Sequence, residues 1–414
     1  PSYSTQAAVF VVFGSHNAAS WPNTGSALIS SFVTAGTAIK IIPGSGSVWR
    51  DTFGSSVECV GDYNGDNIND ILIGDYSVSS CDPNAVNYCG QAVLVYGLET
   101  WPVSHILDIS HDSSFSGIVF SSSTSTAQKI GAAVTSVDLN IDLKPDLIIG
   151  APATTNGEGC VHVIWGGQTT PLTSPTQLPV ENTVGLVIAG SAGSLFGKSL
   201  TTGDINGDTH NDLIIGAPNS NQVALVLASS DAETTWPTSI TSCTDNITTD
   251  FFGVSVASGD INGDGYDDIF IAGGSSISGT SSGPLYICYG KGAPAPLTIS
   301  GGSTPDGTSW SRIIVPFNSG LEGFTAGVVS GLPHTAADLL IGAYKDIGTG
   351  FLVSRNPCKT ESAGSCTECH KGYGIDSSTG KCNACTGNTW SLDGMQCVSD
   401  SNCLTFSSLI GCTK

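Results

Sequence analysis

Acidic side chains recur along this chain at a spacing that suits the binding of a metal ion. Four segments follow the pattern Asp-x-Asn-x-Asp-x-x-x-Asp, with oxygen side chains at positions 1, 3, 5 and 9. Ca2+ takes roughly six to eight oxygen ligands, so these side chains and the main-chain carbonyl of position 7 can surround one ion. The four predicted ligand sets are Asp62, Asn64, Asp66, Ile68 and Asp70; Asp138, Asn140, Asp142, Lys144 and Asp146; Asp204, Asn206, Asp208, His210 and Asp212; and Asp260, Asn262, Asp264, Tyr266 and Asp268. The sequence therefore predicts up to four bound Ca2+ ions.

The EF-hand loop begins with a similar spacing, but the residues that follow position 9 exclude it. An EF-hand needs a Glu at position 12 and a helix on each side. Here position 12 is Ile73, Ile149, Ile215 or Ile271, within a short apolar run. Such runs between turn residues predict buried strands, so each loop is expected to connect two strands. A solvated turn is the alternative for a single copy, but it does not explain four copies in the same context.

Each loop lies inside a longer repeat, and this repeat predicts the architecture. An aromatic or apolar residue and a Gly, as in Phe196-Gly197, precede a first strand; the loop, a second, a third and a fourth strand follow. Four strands per unit are typical of a propeller blade. A fifth unit beginning at Phe324 has lost its carboxylates in residues 331–335 and is expected to bind no calcium. Residues 8–14 and 37–44 match only a third and a fourth strand.

These elements, in this order, resemble the FG-GAP repeat of integrin alpha-subunit β-propellers and related extracellular proteins. The resemblance rests on the Phe-Gly pairs, the acidic loops and the Gly-Ala-Pro segments 150–152 and 216–218, and it covers roughly residues 8–355. It implies an all-β fold, a β-propeller of four-stranded blades with five recognisable repeats plus an N-terminal half repeat. Calcium loops in that family join the first and second strands of a blade. Two copies depart from Gly-Ala-Pro, at residues 74–76 and 272–274.

The second acidic loop differs from the others at position 4. It has Ile141 where the other loops have Gly65, Gly207 and Gly263. Gly readily adopts a positive φ at such a position. We therefore expect the Asp138 site to bind calcium most weakly.

The composition is that of a turn-rich, acidic protein. The chain has 414 residues, 52 Gly and 19 Pro, and its formal net charge is −22. Even four bound Ca2+ ions would leave it acidic, which argues against nucleic acid as a partner because phosphates require basic patches. No apolar run approaches the ~18 residues expected of a membrane span.

Cysteine usage divides the chain into a propeller, residues 1–357, and a cysteine-rich module, residues 358–414. The module holds eight of the 14 Cys, and a segment this short needs covalent or metal staples. The spacing of Cys366-x-x-Cys369 and Cys382-x-x-Cys385 fits zinc. The even number of Cys and the calcium-binding neighbour instead favour disulfides. The stretch Cys369-His370-Lys371-Gly372-Tyr373-Gly374 resembles the EGF-like modules of protist surface proteins. Within the propeller, Cys81 and Cys89 bracket one loop and are the first expected disulfide.

Calcium sites and disulfides together predict an extracellular or cell-surface location. The sequon at Asn246 lies between predicted strands and is expected to carry a glycan, with an unmodified surface Asn as the alternative. We expect no enzymatic activity, because His162, His210 and His334 occupy unrelated repeat positions and no nucleophile elbow or phosphate-binding loop is present. A catalytic site assembled across blades is the alternative.

Two non-catalytic functions remain open. In the preferred one, the protein is a structural subunit that self-associates into a surface fibre or coat, because the N-terminal half repeat leaves strand edges that the same chain or another chain must cover. In the other, as the integrin resemblance implies, it is an adhesion or receptor head that binds another extracellular protein or glycan.

Overall fold

The computed structural model describes residues 7–13, 29–43, 52–77, 89–110, 115–122, 128–154, 157–168, 172–178, 184–230, 252–261, 265–273 and 284–292. Elsewhere it describes the backbone of strands only, namely Thr241–Asp245, Leu297–Ile299 and every strand from Trp310 onward. The side chains of these strands and the remaining residues lie outside the described part of the chain.

Nearly all of the described secondary structure is β-strand. The strands are β1 (Val9–Val12), β2 (Ala38–Ile42), β3 (Ser56–Gly61), β4 (Asp70–Asp75), β5 (Gln91–Val95), β6 (Ile106–Asp108), β7 (Gly117–Ser122), β8 (Ala133–Val137), β9 (Asp146–Ala151), β10 (Cys160–Ile164), β11 (Thr176–Leu178), β12 (Gly185–Ala189), β13 (Ser199–Gly203), β14 (Asp212–Ala217), β15 (Gln222–Val226), β16 (Thr241–Asp245), β17 (Ser255–Gly259), β18 (Asp268–Ala272), β19 (Pro284–Cys288), β20 (Leu297–Ile299), β21 (Trp310–Ile314), β22 (Phe324–Val329), β23 (Asp338–Ala343) and β24 (Thr349–Val353). A short helix, α1 (Ile29–Thr34), and a 3-10 turn at Pro218–Ser220 accompany them. Within the described residues, no helix is long and apolar enough to cross a membrane.

The strands form repeated sheets that we call blades 1 to 6. Blade 1 contains β1 and β2, blade 2 contains β3, β4, β5 and β7, and blade 3 contains β8, β9, β10 and β12. Blade 4 contains β13 to β16, blade 5 contains β17, β18, β19 and β21, and blade 6 contains β22 to β24. Strands adjacent within a blade are antiparallel wherever their register is described, as in the pairing of β8 with β9. The predicted all-β propeller fold of four-stranded blades is confirmed, and so are the two strands of the half repeat.

The chain divides into two compact units. The first comprises Pro1–Thr202, His210–Asn246 and Pro296–Ile299, and the second comprises Gly203–Thr209, Ile247–Ala295 and Ser300–Lys414. The first break along the chain lies within the repeat of blade 4, at residues 202–210, so this division does not test the predicted domain boundary after residue 357, which stays a prediction.

Three short strands add a further edge to neighbouring blades. Each of β6, β11 and β20 leaves the connection between the third and fourth strands of one blade and pairs in parallel with the fourth strand of the preceding blade. Leu107 of β6 lies opposite Ile41, and Leu178 of β11 lies opposite Ser122. Both leucines are buried. These strands, which we call clasp strands, cover backbone edges that would otherwise be open to pairing.

The Phe-Gly and Gly-Ala-Pro motifs meet where neighbouring blades touch. The amide of Gly131 donates to the carbonyl of Gly150 in its own blade (3.0 Å), and Gly197 donates to Gly216 in the same way (3.1 Å). A Cβ added to Gly74 would overlap the carbonyl oxygen of Gly131 in the next blade. Glycine is needed at this junction because two backbones are in direct contact.

The apolar core lies between blades. Every described residue of β9 and β14 is buried, which confirms the prediction of buried strands after the loops. One cluster joins Leu94 of blade 2 to Ile149 of blade 3, and another joins Val163 of blade 3 to Leu213 of blade 4. The loops are therefore held at both ends by strands that the core fixes in place.

The segment from Cys358 onward contains four antiparallel strand pairs. These are β25 (Cys358–Ser362) with β26 (Ser365–Cys369), β27 (Tyr373–Asp376) with β28 (Lys381–Ala384), β29 (Thr389–Trp390) with β30 (Val398–Ser399), and β31 (Thr405–Ser407) with β32 (Gly411–Thr413). Their side chains lie outside the described residues. The disulfide, zinc and EGF-like interpretations of this segment therefore stay predictions.

Candidate calcium-binding loops

The four acidic loops join the first and second strands of blades 2 to 5, as the sequence predicted. We call them loop 1 (residues 62–70), loop 2 (138–146), loop 3 (204–212) and loop 4 (260–268). In each loop, the Asp of position 9 is the first residue of the second strand.

The position-9 carboxylates are buried and anchor their loops, in addition to their predicted role as ligands. Asp70, Asp146, Asp212 and Asp268 are fully buried. One oxygen of each accepts a hydrogen bond from the amide of the second residue after the third strand: Gly97 (2.8 Å), Gly166 (2.8 Å), Ala228 (3.0 Å) and Gly290 (3.0 Å). In loops 1, 2 and 4 the other oxygen accepts the amide of position 2: Tyr63 (3.0 Å), Leu139 (2.9 Å) and Ile261 (3.1 Å). This residue thus ties the start of its loop to the end of the third strand, a role that the ligand pattern did not reveal.

Burial is the largest influence on the acidity of these anchors. It raises the pKa of Asp146 to about 7, and the nearby carboxylates of Asp142 and Asp138 act in the same direction, whereas the amides of Gly166 and Leu139 lower the pKa. Burial likewise raises the pKa of Asp70. A divalent cation in the loop would lower the pKa of these carboxyl groups, against the effects of burial and of the neighbouring carboxylates. The electrostatics of the loop therefore fit a bound cation.

The position-1 carboxylates bind the backbone of their own loops. In loop 1, Asp62 Oδ1 accepts the amides of Gly65 (2.7 Å) and Asp66 (2.9 Å), and Oδ2 accepts the amide of Asn67 (2.8 Å). In loop 3, Asp204 accepts the corresponding three amides at 2.7, 3.0 and 2.9 Å. In loop 2, Asp138 accepts two amides, at 2.9 and 2.8 Å. In loop 4, Asp260 accepts the amide of Gly265 at 3.1 Å. The first carboxylate therefore shapes each loop.

Positions 3 and 5 also face the interior of the loop. The side-chain oxygen of Asn64 accepts the amide of Asp66 (2.9 Å), and Asp66 Oδ1 accepts the amide of Ile68 (2.8 Å). Asn206 accepts the amide of Asp208 (2.9 Å), and Asn140 accepts the amide of Asp142 (3.2 Å). Loops 1, 2 and 3 thus each gather several oxygen atoms on the side of their own backbone, which is the donor chemistry that Ca2+ prefers.

The oxygen atoms available to a metal ion in these loops are of more than one chemical type. In the described part of the chain, no group of three His, Cys, Asp or Glu side chains is arranged as a metal site. A cation in these loops would therefore rely on Asn and carbonyl oxygens as well as carboxylates. Of the predicted ligands, Asn262 and Asp264 lie outside the described residues.

Position 4 of loop 2 has the positive φ expected of a position where the other loops have Gly. Ile141 has φ 60°, close to the values of Gly65 (83°) and Gly207 (73°), so the expected conformation at position 4 is confirmed. Weak calcium binding by loop 2 stays a prediction. A second such position, position 6, was not predicted from the sequence and is occupied by Asn67 (66°), Leu143 (67°), Thr209 (75°) and Gly265 (90°). The Asn and Gly in this set were a usable signal, because both residues tolerate positive φ.

Other predicted features have separate outcomes. Cys89 is disulfide-bonded, but its expected partner Cys81 lies outside the described residues. So do Asn246 and His334. His162 is buried on β10, with Nε2 3.5 Å from Cys160 Sγ. Burial lowers the pKa of His162 to about 4 and raises the pKa of Cys160 to about 12.

Comparisons with known proteins agree with the FG-GAP interpretation. The FG-GAP-like repeat family matches residues 204–271, which include loops 3 and 4. Integrin alpha-PS2 of Drosophila melanogaster is 30% identical over 199 residues, covering 44% of this chain and 13% of that protein. Phosphatidylinositol-glycan-specific phospholipase D of Bos taurus is 28% identical over 161 residues, covering 38% of this chain and 18% of that protein. The human phospholipase of the same name is 28% identical over 166 residues, with the same two shares. This chain therefore contains an FG-GAP-type domain, and it spans less than a fifth of the length of these relatives.

Proposed function

We propose that the protein is a non-catalytic, extracellular, calcium-binding propeller that acts by binding other macromolecules. The observation that carries this proposal is the repetition of one acidic loop at the same place in four consecutive blades. In each copy the position-9 carboxylate is buried and bonded to backbone amides. Repetition of both the donors and their supporting contacts is what a structural ion in each of these four blades requires.

Calcium has a structural role in this proposal. The side chains at positions 1, 3, 5 and 9 would hold the ion together with the carbonyls of Ile68, Lys144, His210 and Tyr266. A bound Ca2+ supplies positive charge where several carboxylates are crowded. The loops that join the first and second strands become more rigid, and binding to the folded state alone stabilises the blades.

Similarity to an integrin alpha subunit supports adhesion or binding at the cell surface as the activity. The phospholipase named above is an enzyme, but the match covers only 18% of it. The buried pair of Cys160 and His162 also supports a non-catalytic protein. At neutral pH it holds a protonated thiol and a neutral imidazole inside the core, because burial disfavours both charged forms.

The test of the calcium proposal combines counting and melting. Native mass spectrometry of the full chain should show up to four bound Ca2+ ions, and chelation with EDTA should lower the melting temperature because the loop carboxylates then repel one another. Asp66→Ala should remove one ion, and Glu99→Gln, a charge change outside the loops, should remove none. A melting temperature that EDTA does not change would contradict calcium as a structural ion.

A structural subunit of a surface fibre or coat is the second candidate, and strand β1 favours it. Among the described strands β1 pairs only with β2, and Phe10 and Phe13 are each 37% exposed. An apolar edge strand is a ready surface for pairing with another chain. Electron microscopy of the full chain should show filaments if this function is correct, and deletion of residues 1–14 should give folded monomers. A full-length protein that stays monomeric at high concentration would exclude the fibre.

A further inference from the structure

Asp267 occupies position 8 of loop 4, next to the anchor Asp268 and outside the predicted ligand set. Its Oδ2 atom accepts the amide of Asp204 (3.0 Å), and its own amide donates to the carbonyl of Asp204 (2.8 Å). The same carboxylate accepts a hydrogen bond from the amide of Asp260. Asp204 and Asp260 are the first residues of loops 3 and 4. One side chain therefore holds the starting points of two candidate calcium sites.

Further contacts seat the start of loop 3 on loop 4. A Cβ added to Gly207 would overlap the ring of Tyr266, so the ring lies directly against this part of loop 3. The amide of Lys291 donates to the carbonyl of Ile205 (2.9 Å). All of these residues belong to the second compact unit. Residues 204–207 thus pack against loop 4 and against the residues that follow β19.

Loops 1 and 2 provide a natural contrast within the first unit. Position 8 of loop 2 is Pro145, whose Cγ would lie 3.9 Å from a Cβ added to Gly61, the residue before loop 1. A proline ring accepts no hydrogen bond. Tyr63 of loop 1 does donate to the carbonyl of Trp165 (3.1 Å), but this bond does not hold the first residue of either loop.

We propose that Asp267 is a positioning residue that couples calcium binding in loop 3 to calcium binding in loop 4. This inference rests on the proposed calcium binding by the loops. An ion bound in loop 4 fixes Asp260, and Asp267 then holds Asp204 in the position that an ion in loop 3 requires. The second ion binds to a loop that is already ordered, which makes the two affinities cooperative. Loops 1 and 2 bind independently because Pro145 cannot form this link.

The test measures the affinity of loop 3 with and without a functional loop 4. In a background in which Asp62→Ala and Asp138→Ala disable loops 1 and 2, isothermal titration calorimetry should detect two Ca2+ ions. Adding Asp264→Ala should leave one ion and weaken its binding about fivefold, at the low end of typical coupling between sites. When Asp267→Ala is also present, Asp264→Ala should no longer change the affinity of loop 3. Asp267→Asn keeps one acceptor oxygen and should restore part of the coupling, which a purely structural defect would not show.

A second measurement covers the case in which the background chain does not fold. Tb3+ bound in loop 3 or 4 of the otherwise unaltered chain lies near the Tyr266 ring, so its luminescence can be excited through tyrosine. Its titration should be cooperative in the unaltered chain and lose cooperativity in Asp267→Ala. The matched control is Asp142→Ala, which should leave the affinity of loop 1 unchanged. Two ions that bind independently would overturn the coupling alone, whereas an unaltered chain that binds no Ca2+ would overturn the proposed function and the coupling together.

Discussion

Loops 1 and 2 have the same acidic pattern and connect equivalent strands, yet their intervening residues differ. Loop 1 has Gly65 and Asn67 at positions 4 and 6, whereas loop 2 has Ile141 and Leu143. The φ angles are nevertheless positive at all four residues, 83° and 66° against 60° and 67°. The anchors and the carboxylate-to-amide bonds therefore impose the loop conformation, even on residues that disfavour it. This conformation costs loop 2 about 1–2 kcal/mol of backbone strain at each of Ile141 and Leu143.

Removing the anchors should have the largest effect, and the effect should be equal in the two loops. Asp70→Ala and Asp146→Ala each leave at least two buried or part-buried amides without their acceptor, so each should lower the free energy of unfolding by about 3 kcal/mol. Urea denaturation in EDTA measures this without any contribution from bound calcium. Asp66→Ala, an exposed carboxylate of loop 1, is the control and should cost less than ~1 kcal/mol. Similar small losses from all three variants would show that the anchors are not what holds the loops.

Giving loop 1 the residue of loop 2 should have the next largest effect. A Cβ on Gly65 meets no atom within 4 Å, so Gly65→Ile introduces backbone strain without a clash at Cβ. We expect a loss of about 1–2 kcal/mol in unfolding free energy. Gly207→Ala in loop 3 should lower the free energy of unfolding more than Gly65→Ala in loop 1, because a Cβ at residue 207 clashes with the Tyr266 ring. A Gly65→Ile protein as stable as the unaltered chain would mean that φ at position 4 carries no strain.

The reverse change should relax the backbone of loop 2. Ile141→Gly removes the strain at φ 60°, but it also removes the packing of the partly buried Ile141 side chain against the core and gives the unfolded chain more freedom. The free energy of unfolding should therefore change by less than about 1 kcal/mol. The calcium affinity of this loop should rise about threefold, because ordering the loop around the ion then costs less free energy. Calorimetry of the variant and of the unaltered chain compares the weakest site directly. If calcium binding by loop 2 already equals that of loop 1, position 4 is not the cause of any difference.

The smallest expected effect concerns position 6. Leu143 is 84% exposed with a positive φ, and Asn67 holds the same place in loop 1. Leu143→Asn should therefore increase stability by about 0.5 kcal/mol, since Asn tolerates this conformation better than Leu. The reciprocal Asn67→Leu should decrease stability by a similar amount. Thermal melting of both variants measures the pair, and changes of the same sign would contradict the interpretation.

Sequence reasoning predicted the parts of the fold that short-range patterns specify. The apolar runs beginning at Ile71 and Leu147 identified buried second strands, and Ile141 identified the strained position. The roles of the position-9 Asp and of Asp267 were not predictable in this way. Their partners, such as Gly97 for Asp70 and Asp204 for Asp267, are distant in sequence, so they become neighbours only when strands and blades pack. The clasp strands are three residues long, too short for any periodicity to show.

The clasp strands determine when the edges of the blades become covered during synthesis of the chain. The fourth strand of blade 2 ends at Ser122, but the clasp that covers it, Thr176–Leu178, leaves the ribosome only after the third strand of blade 3. The same interval separates β16 from β20. In blades 2 and 4 the edge of the nascent fourth strand therefore stays open until most of the next blade has emerged, a period in which unpaired strands are prone to misassembly. A ribosome that stalled before Thr176 had emerged would leave the edge of blade 2 open, whereas a stall after Leu178 had emerged would leave that edge covered.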